Sequence, residues 1–443
     1  MDFGDAVEYL LSLGHETLTI KLGLRNTELL LHALNNPERT FPSVQIAGTN
    51  GKGSTAAMLE SICRAAGIKV GLYTSPHLVS ITERIRIAGA QITPAGFAAC
   101  ATRVRDTAEQ LLRDKQIEAL PTFFEQVTAI ALLAFRDAGI ELAILETGLG
   151  GRLDSTTAAS AGVVGITPIA LDHEEYLGTT LEGIAAEKAA IIRPGVSAVI
   201  AKQQPAALEV LLRRCEETGV VPVFENGAYT IEETTDDGRF CVTFEIDGHS
   251  YESVWLGLRG RHQVENAAMA VRLAELLRAG GFTIPDSAIT TGISNALHPG
   301  RLEIVSHEPP FLLDGAHNPA GSQALRESLE EFAPRPLTLV FGAMRDKQLE
   351  RIGEILFQLA DVLILSSIEN PRSASIETLE SVATRYATGT IIYAQSSAEA
   401  LRIATERTPS QGLICIAGSL YLIGEIRPLI LSMRQEKEHD YAT

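Results

Sequence analysis

The feature that most constrains this chain is a glycine-rich turn between a strand-like run and a helix-like run. Residues 48–54, GTNGKGS, follow the apolar run 44–47 and precede a helix predicted over 55–66. A strand that turns through glycines into a helix leaves backbone N–H groups free to surround a phosphate, and Lys52 adds a positive charge beside them. The turn therefore predicts a nucleotide-phosphate loop in an α/β fold.

The turn departs from the usual phosphate-loop pattern at one position. In G-x-x-x-x-G-K-[ST] the hydroxyl residue directly follows the lysine, whereas Gly53 here separates Lys52 from Ser54. The alternative is a structural turn without a ligand. Three glycines, a lysine and two flanking hydroxyls between a strand and a helix favour phosphate binding.

The hydrophobic content of 45% indicates a globular enzyme. A chain of 443 residues is too long to fold around one hydrophobic core, so we expect more than one domain. The net charge of −18 opposes non-specific nucleic-acid binding. No run reaches the roughly 18 apolar residues of a membrane helix, and the first residues lack a signal-peptide pattern. We therefore expect a cytoplasmic protein. The five cysteines are scattered, which argues against a disulfide framework or a zinc site.

Strand-like and helix-like runs alternate up to about residue 300, as in a doubly wound α/β sheet, and a small β-rich insertion is predicted over 229–258. The alternation resumes after the pair Pro299-Gly300. We therefore predict a phosphate-loop domain over 1–298 and a smaller Rossmann-like C-terminal domain over 299–443. The predicted strands outside the insertion are 43–47, 69–73, 142–146, 163–169, 197–201, 311–314, 337–341, 362–366, 391–393 and 413–416. The predicted helices are 55–66, 94–112, 122–138, 181–192 and 264–279.

Oxygen and nitrogen donors follow several predicted strands of the first domain. Glu146 ends one strand, and Ser75 and His173 come just after two others. Ligands bind at the carboxyl ends of strands in open α/β sheets, and a carboxylate beside a phosphate loop is a natural Mg²⁺ ligand. A solvated acid and a structural histidine are the alternatives, and the shared position at strand ends favours a metal site.

Lys188 lies in the apolar stretch 183–192. It is either a lysine whose stem covers apolar surface or a site residue with a shifted pKa or a covalent modification, and spacing leaves both open. His77, Arg84 and Arg86 follow another strand and offer groups for a bound anion. An ordinary loop is an equal interpretation of these three.

The second domain carries its own polar residues near the predicted hinge. Arg301 is placed to contact a phosphate on the first domain with bidentate geometry, and an interdomain salt bridge is the alternative. Asp314 is suited to accept a hydrogen bond from a ribose hydroxyl, and His317 to make polar contacts in a cleft. Helix capping before Pro319 is the alternative for both.

Seven segments resemble the folate branch of the Mur ligase superfamily, which comprises folylpolyglutamate synthases and dihydrofolate synthases. They are GTNGKGS at 48–54, TSPHL at 74–78 with ERIRI at 83–87, ETGLGGRLD at 146–154, LDH at 171–173, EKAAI at 187–191, PGRLE at 299–303 and DGAHNP at 314–319. They occur in the family's order and span most of the chain, which argues against chance agreement.

The resemblance implies an ATP-dependent amide ligase that uses Mg²⁺. A carboxylate of a folate-type substrate attacks the γ-phosphate of ATP, which gives an acyl phosphate and ADP. The amino group of L-glutamate then attacks the acyl carbon and releases phosphate. Such chemistry needs mainly positioning and charge neutralisation. The sequence leaves open whether a monovalent cation such as K⁺ is also required.

The resemblance also assigns roles to individual residues. It implies that ATP is bound by Thr49, Asn50, Gly51, Lys52, Gly53, Ser54, Asn266, Arg301 and Asp314. It implies Mg²⁺ ligation by Ser75, Glu146, His173 and a carbamylated Lys188, and catalytic roles for Lys52, Lys188 and His317. The folate-type substrate is assigned to Lys21, Gly23, His77, Arg84 and Phe124. A core position is the alternative for Phe124.

The implied partners are dihydropteroate, folate derivatives and L-glutamate, for an enzyme expected to be monomeric. The leading hypothesis is a bifunctional enzyme that makes dihydrofolate and lengthens the folate tail. A folylpolyglutamate synthase without the first activity is the nearest alternative. A muramyl-type ligase is disfavoured by the TSPHL and ERIRI segments, and a non-catalytic nucleotide-binding module by the full set of charged residues.

Overall fold

The chain packs as two compact units in a computed structural model that describes residues 1–14, 23–225, 229–246, 248–305 and 307–440. The first unit comprises Met1–Tyr229, Phe244–Val254 and Glu265–Ala296. The second comprises Thr230–Thr243, Trp255–Val264 and Leu297–Thr443. Every helix in the described ranges is too short or too polar to span a lipid bilayer.

Parallel strands flanked by helices build most of the chain, which confirms the predicted α/β class. The helices are α1 Phe3–Ser12, α2 Arg25–Ala33, α3 Lys52–Ala65, α4 Pro94–Arg113, α5 Phe123–Ala138, α6 Glu174–Leu177, α7 Leu181–Ala189, α8 Pro205–Thr218, α9 Arg261–Ala279, α10 Asp286–Asn295, α11 Pro319–Phe332, α12 Leu349–Leu356, α13 Ile376–Tyr386, α14 Ser397–Arg407 and α15 Leu420–Asp440. Short 3₁₀ helices lie at Pro37–Arg39, Ile81–Arg84, Ser155–Ala159 and Phe357–Leu359.

The strands form three sheets within the described residues. They are β1 Ser43–Ala47, β2 Val70–Tyr73, β3 Ile85–Ile87, β4 Ala90–Gln91, β5 Leu142–Glu146, β6 Val163–Ile166, β7 Ser197–Ile200, β8 Val223–Phe224, β9 Tyr229–Thr234, β10 Phe240–Ile246, β11 His249–Trp255, β12 Glu303–Val305, β13 Phe311–Asp314, β14 Leu337–Phe341, β15 Val362–Ser366, β16 Thr390–Ala394 and β17 Leu413–Ala417. The sheet orders are β4-β3-β2-β5-β1-β6-β7-β8, β11-β10-β9 and β12-β13-β17-β14-β15-β16.

The first sheet places the phosphate loop at its centre. Strand β1 lies between β5 and β6 in parallel register, with Ile46 opposite Glu146 and Ala47 opposite Ile166. Every residue of β1 and β5 is buried, as expected for central strands covered by helices on both faces. The carboxyl ends of β5, β1 and β6 therefore meet at one edge, where the loops that follow them lie side by side.

Apolar runs predict the central strands closely, while a proline and a glycine account for two of the shifted ends. Five strands have the predicted bounds: β1, β5, β13, β14 and β15. The strand predicted over 163–169 ends at Ile166, two residues before Pro168, whose ring nitrogen has no hydrogen to donate to a ladder. The helix predicted from residue 55 begins instead at Lys52. The sequence pattern places the start too late because Gly53, in the first turn, is a poor helix former.

Candidate active site

Two glycines give the phosphate loop its shape. Gly48 and Gly51 have φ values of +147° and +89°, a region that favours glycine. A Cβ atom on Gly48 would lie 1.8 Å from the Thr167 hydroxyl oxygen, and one on Gly51 would lie 2.3 Å from Oδ1 of Asn266. Gly51 is the N-cap of α3, and no side chain caps this helix. The helix N-terminus is therefore shaped to receive an anion, with Asn266 against the loop.

A neighbouring segment holds the loop in place, and we call residues 167–170 the buttress segment. The carbonyl oxygen of Pro168 accepts hydrogen bonds from the N–H groups of Thr49, at 3.0 Å, and Asn50, at 3.3 Å. The Thr49 hydroxyl donates to the carbonyl oxygen of Ala170 and accepts from the Ala170 N–H, both at 3.0 Å. The phosphate loop and the buttress segment are thus joined by four hydrogen bonds.

Two lysine ammonium groups donate to the carbonyl oxygens of the loop. Lys52 Nζ lies 3.1 Å from the Thr49 oxygen, and Lys188 Nζ lies 2.7 Å from the Gly48 oxygen. The Lys188 side chain is only 5% exposed. Burial, together with the nearby positive charge of Lys52, lowers the pKa of Lys188 from 10.5 to about 7. The structure therefore supports the interpretation of Lys188 as a buried site residue over that of a surface lysine.

Glu146 and Ser75 meet at the carboxyl ends of β5 and β2. Oε2 of Glu146 accepts a hydrogen bond from the Ser75 N–H at 3.1 Å, and Glu146 is 6% exposed. His173 is the N-cap of α6 with a φ of +51°, and its N–H donates to Oδ1 of Asp172 at 2.8 Å. The residues that the structure describes contain no group of three His, Cys, Asp or Glu side chains able to hold a metal.

This donor set still fits Mg²⁺ bound together with a nucleotide. Mg²⁺ is commonly held by one or two carboxylates, with phosphate oxygens and water completing an octahedron. The buried carboxylate of Glu146, next to the hydroxyl-bearing Ser75, supplies ligands of the required type. Its position at the same sheet edge as the phosphate loop agrees with a metal bound between protein and phosphate.

A buried arginine organises the loop that follows β2. Arg84 is 2% exposed, and its Nε donates to Nδ1 of His77 at 2.8 Å. The guanidinium carbon lies 5.4 Å from the ring centroid of Phe123, within cation–π distance. Arg84 and His77, two of the predicted substrate-binding residues, are therefore in direct contact, and Nδ1 of His77 acts as an acceptor.

Phe124 is the second residue of α5 and packs against a glycine. A Cβ atom on Gly148 would lie 2.4 Å from Cζ of the Phe124 ring, so only glycine leaves room for the ring. The Phe124 ring centroid also lies 6.1 Å from that of Tyr73. Gly23 is half-buried with open space where a Cβ would stand. Lys21 lies outside the described residues.

In the second unit, backbone groups surround the carboxylate of Asp314. Oδ2 accepts from the Leu302 N–H and Oδ1 from the Ala316 N–H, both at 2.9 Å. Nδ1 of His317 lies 2.7 Å from the Gly315 carbonyl oxygen, and Arg301 Nη1 lies 2.9 Å from the place of a Cβ on Gly315. Asp314 thus holds together the two segments that carry Arg301 and His317.

The comparison with known proteins decides the family. The model of the Mur ligase middle domain matches residues 46–274, and that of the Mur ligase glutamate ligase domain matches residues 300–420. A Bacillus subtilis protein named dihydrofolate synthase/folylpolyglutamate synthase is 34% identical over 413 residues, which cover 92% of this chain and 95% of that protein. The chain belongs to the folylpolyglutamate synthase and dihydrofolate synthase family of Mur ligases.

Solved structures of this family share the fold. The Mycobacterium tuberculosis folylpolyglutamate synthase complexed with ADP has a TM-score of 0.89 at 32% identity and covers 97% of this chain and 99% of its own. The Escherichia coli FolC in complex with DHPP and ADP has a TM-score of 0.85 at 30% identity, with 98% and 99% covered.

The sequence reasoning missed a buried polar network below the site of this family member. Nε2 of Gln45, in the middle of β1, donates to the hydroxyl oxygens of Thr156 at 2.9 Å and Thr157 at 2.7 Å. These hydroxyls in turn donate to Oδ1 of Asp154 and to the Gly151 carbonyl oxygen. The network fixes the loop after Glu146 to the strand that leads into the phosphate loop. A glutamine inside an apolar strand is the signal that points to it.

Proposed function

We propose that this chain is an ATP-dependent ligase that adds L-glutamate both to dihydropteroate and to the γ-carboxylate of folates. Its similarity over almost the whole length of the Bacillus subtilis dihydrofolate synthase/folylpolyglutamate synthase carries the proposal. The names of the related structures, complexed with ADP or with DHPP and ADP, support a nucleotide and a folate-type ligand. The proposal includes ATP and folate binding by residues 1–298 and a glutamate-ligase domain over 299–443.

The residues of the first unit supply the positioning that this reaction needs. We assign the ATP phosphates to Lys52 and to the N–H groups at the start of α3, residues 51–54, because the N–H groups of Thr49 and Asn50 already donate to Pro168. Asn266 is assigned to a position near the adenine. Asn266 lies against Gly51, which supports a position beside the nucleotide. Arg84, held by His77 and Phe123, is a rigid cation suited to an anionic or polar group of the folate substrate.

Ser75, Glu146, His173 and Lys188 are the proposed Mg²⁺ ligands, and Mg²⁺ would neutralise phosphate charge when it is bound. For Lys188 the proposal includes carbamylation. The neutral amine attacks CO₂, forms an N–C bond and releases a proton, which turns a buried cation into a carboxylate-like ligand. A pKa of about 7 supports this step, because much of the amine is then neutral near physiological pH.

Arg301 and Asp314 are proposed to bind ATP, and His317 to act next to the reacting groups. The three residues lie close together in the second unit, because the Asp314 carboxylate accepts a hydrogen bond from the N–H of Leu302, the residue after Arg301. Gly23 and Phe124 are proposed for the pterin side of the substrate, and Lys21 stays a prediction. The monomeric state and the cytoplasmic location also stay predictions.

The test offers dihydropteroate and tetrahydrofolate separately, each with MgATP and L-glutamate, and measures ADP release and product mass. We expect a product with each acceptor. A product with tetrahydrofolate alone would favour the nearest alternative, a folylpolyglutamate synthase without dihydrofolate synthase activity. ADP release that depends on neither acceptor nor glutamate would overturn the ligase function. Lys52→Met should abolish turnover, while the same change at exposed Lys69 should leave it intact.

A further inference from the structure

The side chain of Gln203 forms two hydrogen bonds with the buttress segment. Gln203 is half-buried, three residues after the end of β7. Its Oε1 accepts from the Ile169 N–H at 3.0 Å, and its Nε2 donates to the Thr167 carbonyl oxygen at 3.1 Å. One side-chain amide thus pairs with two backbone groups that flank Pro168.

These two bonds continue the sheet where its backbone ladder stops. The last backbone hydrogen bond between β6 and the segment that continues β7 joins the Ala201 N–H to the Ile166 carbonyl oxygen at 2.9 Å. Beyond it Pro168 has no N–H to donate. A glutamine amide supplies one donor and one acceptor at the end of a flexible stem, so it replaces the missing ladder bonds.

The other side of the same segment supports the phosphate loop. The Pro168 carbonyl oxygen accepts from the N–H groups of Thr49 and Asn50, and Ala170 pairs with the Thr49 hydroxyl. Thr167 lies where a side chain on Gly48 would stand. The buttress segment therefore contacts Gln203 on one side and the phosphate loop on the other.

We propose that Gln203 is a positioning residue for nucleotide binding: its amide fixes residues 167–169, which in turn fix the phosphate loop. Gln203 does not belong to any of the segments that resemble the family. The inference rests on the proposed function, because it takes a nucleoside diphosphate or triphosphate as the ligand of the loop. Without the amide, the phosphate loop would sample more conformations, so binding of the nucleotide would cost more conformational entropy and be weaker.

The experiment measures ADP affinity by calorimetry, with MgCl₂ present, for the full chain and three variants. Gln203→Met removes both hydrogen bonds at similar volume, and Gln203→Glu keeps only the acceptor. Gln204→Met is the matched control, since Gln204 is the exposed N-cap of α8 and makes no side-chain capping bond. We expect the Kd for ADP to rise about tenfold in both Gln203 variants, the size of effect of one or two hydrogen bonds, and to be unchanged in Gln204→Met.

Hydrogen exchange of residues 48–54 gives a second readout that needs no nucleotide. The amides of the loop should exchange faster in the Gln203 variants and at the original rate in Gln204→Met. In turnover the KM for ATP should rise while the KM for L-glutamate stays constant. If Gln203→Met does not fold, Gln203→Glu decides.

The outcomes separate this inference from the proposed function. ADP affinity and loop exchange equal to those of the original chain in the Gln203 variants would overturn the inference alone. An unmodified chain that binds no ADP would overturn the proposed function, and the inference with it. A loss of ADP affinity in Gln204→Met as large as in Gln203→Met would also overturn the inference, because any change after β7 would then have the same effect.

Discussion

The ammonium group of Lys188 donates to the carbonyl oxygen of Gly48 at 2.7 Å, across 140 residues of sequence. The contact joins the end of α7 to the first residue of the phosphate loop. Because the lysine is buried and Lys52 lies near, its charged form is disfavoured and its pKa falls to about 7. Burying Lys188 in its charged form lowers the stability of the folded chain. Such a cost at a candidate catalytic residue is expected where a residue is kept for function rather than for folding.

We predict that Lys188→Met changes stability in a pH-dependent way. The folded chain releases the Lys188 proton near pH 7 and the unfolded chain near 10.5. Between these values the unfolded state binds more protons, so the stability of the original chain rises with pH across this window. Below pH 7 the buried charge costs most, and the variant should be more stable there by a few kcal/mol, at about 1.4 kcal/mol per pKa unit.

Urea denaturation at pH 6, 8 and 10 in metal-free and CO₂-free buffers measures this difference. The gain of Lys188→Met should shrink toward pH 10. Lys69→Met, a change at an exposed lysine, should show no such trend. A constant difference between Lys188→Met and the original chain at all three pH values would contradict the buried, shifted lysine.

Carbamylation of Lys188 predicts chemical rescue. Lys188→Ala should lower ligase activity about 100-fold, the size of effect seen when a metal site loses a supporting group. Acetate or formate should restore part of the activity, because a small carboxylate can occupy the place of the carbamate. Lys52→Ala should also lose activity but should not respond to carboxylates, since Lys52 acts as a cation. An unimpaired Lys188→Ala would refute the assignment.

Gly51→Ala should weaken ADP binding beyond the effect of backbone strain. Its Cβ would lie 2.3 Å from Oδ1 of Asn266, at a φ of +89°. Gly67 has a similar φ of +81° with open space around it, so Gly67→Ala measures strain alone, about 1 to 2 kcal/mol. We expect a large loss of ADP affinity, measured by calorimetry, only in Gly51→Ala. Equal affinities in the two variants would exclude a role of the Asn266 contact.

Gly148→Ala tests the proposed place of the pterin ring. The new methyl group would lie 2.4 Å from the Phe124 ring and must displace it. The KM for dihydropteroate should rise severalfold, while ADP affinity stays unchanged because Phe124 is outside the phosphate loop. Gly162→Ala serves as the control, since nothing lies near the place of its Cβ. An unchanged KM for dihydropteroate would assign Phe124 to the core.

The sequence predicts the central strands and the glycine loop well because both depend on local patterns. Buried parallel strands appear as apolar runs, and β1 and β5 have the predicted bounds. The short antiparallel pair β3 and β4 was not predicted, since strands of three and two residues are too short for an alternating pattern to stand out. The contact of Lys188 with Gly48 could not be predicted from sequence spacing, because it depends on the order β5-β1-β6 in the sheet.

The role of Gln203 could not be predicted from the sequence either. A half-buried glutamine after a strand has no pattern in sequence that separates it from its neighbour Gln204. Only the geometry reveals that one amide pairs with the backbone on both sides of Pro168. Residues that act through other residues are therefore the least predictable part of the site.

Glu60 provides a last prediction, on stability alone. It is 6% exposed in α3, and its Oε1 lies 3.3 Å from Nε of Arg64. Burial raises its pKa above the ordinary 4.5, although Arg64 and Arg86 act in the opposite direction. The folded state therefore holds this proton more tightly than the unfolded state, and the contribution of Glu60 to stability falls as pH rises above about 4.5. Glu60→Gln should be more stable than the original chain at pH 8 and equal to it near pH 4.

The chain contains a matched control for this prediction. Glu209 and Arg213 form the same i,i+4 ion pair on α8, but the Glu209 side chain is 74% exposed. An exposed pair of this kind contributes about 0.3 to 0.5 kcal/mol, so Glu209→Gln should slightly lower the free energy of unfolding at pH 8. Urea denaturation of both variants at pH 4 and pH 8 should therefore give changes of opposite sign at pH 8. A loss of stability in Glu60→Gln at pH 8 would mean that the Arg64 contact outweighs the desolvation of the carboxylate.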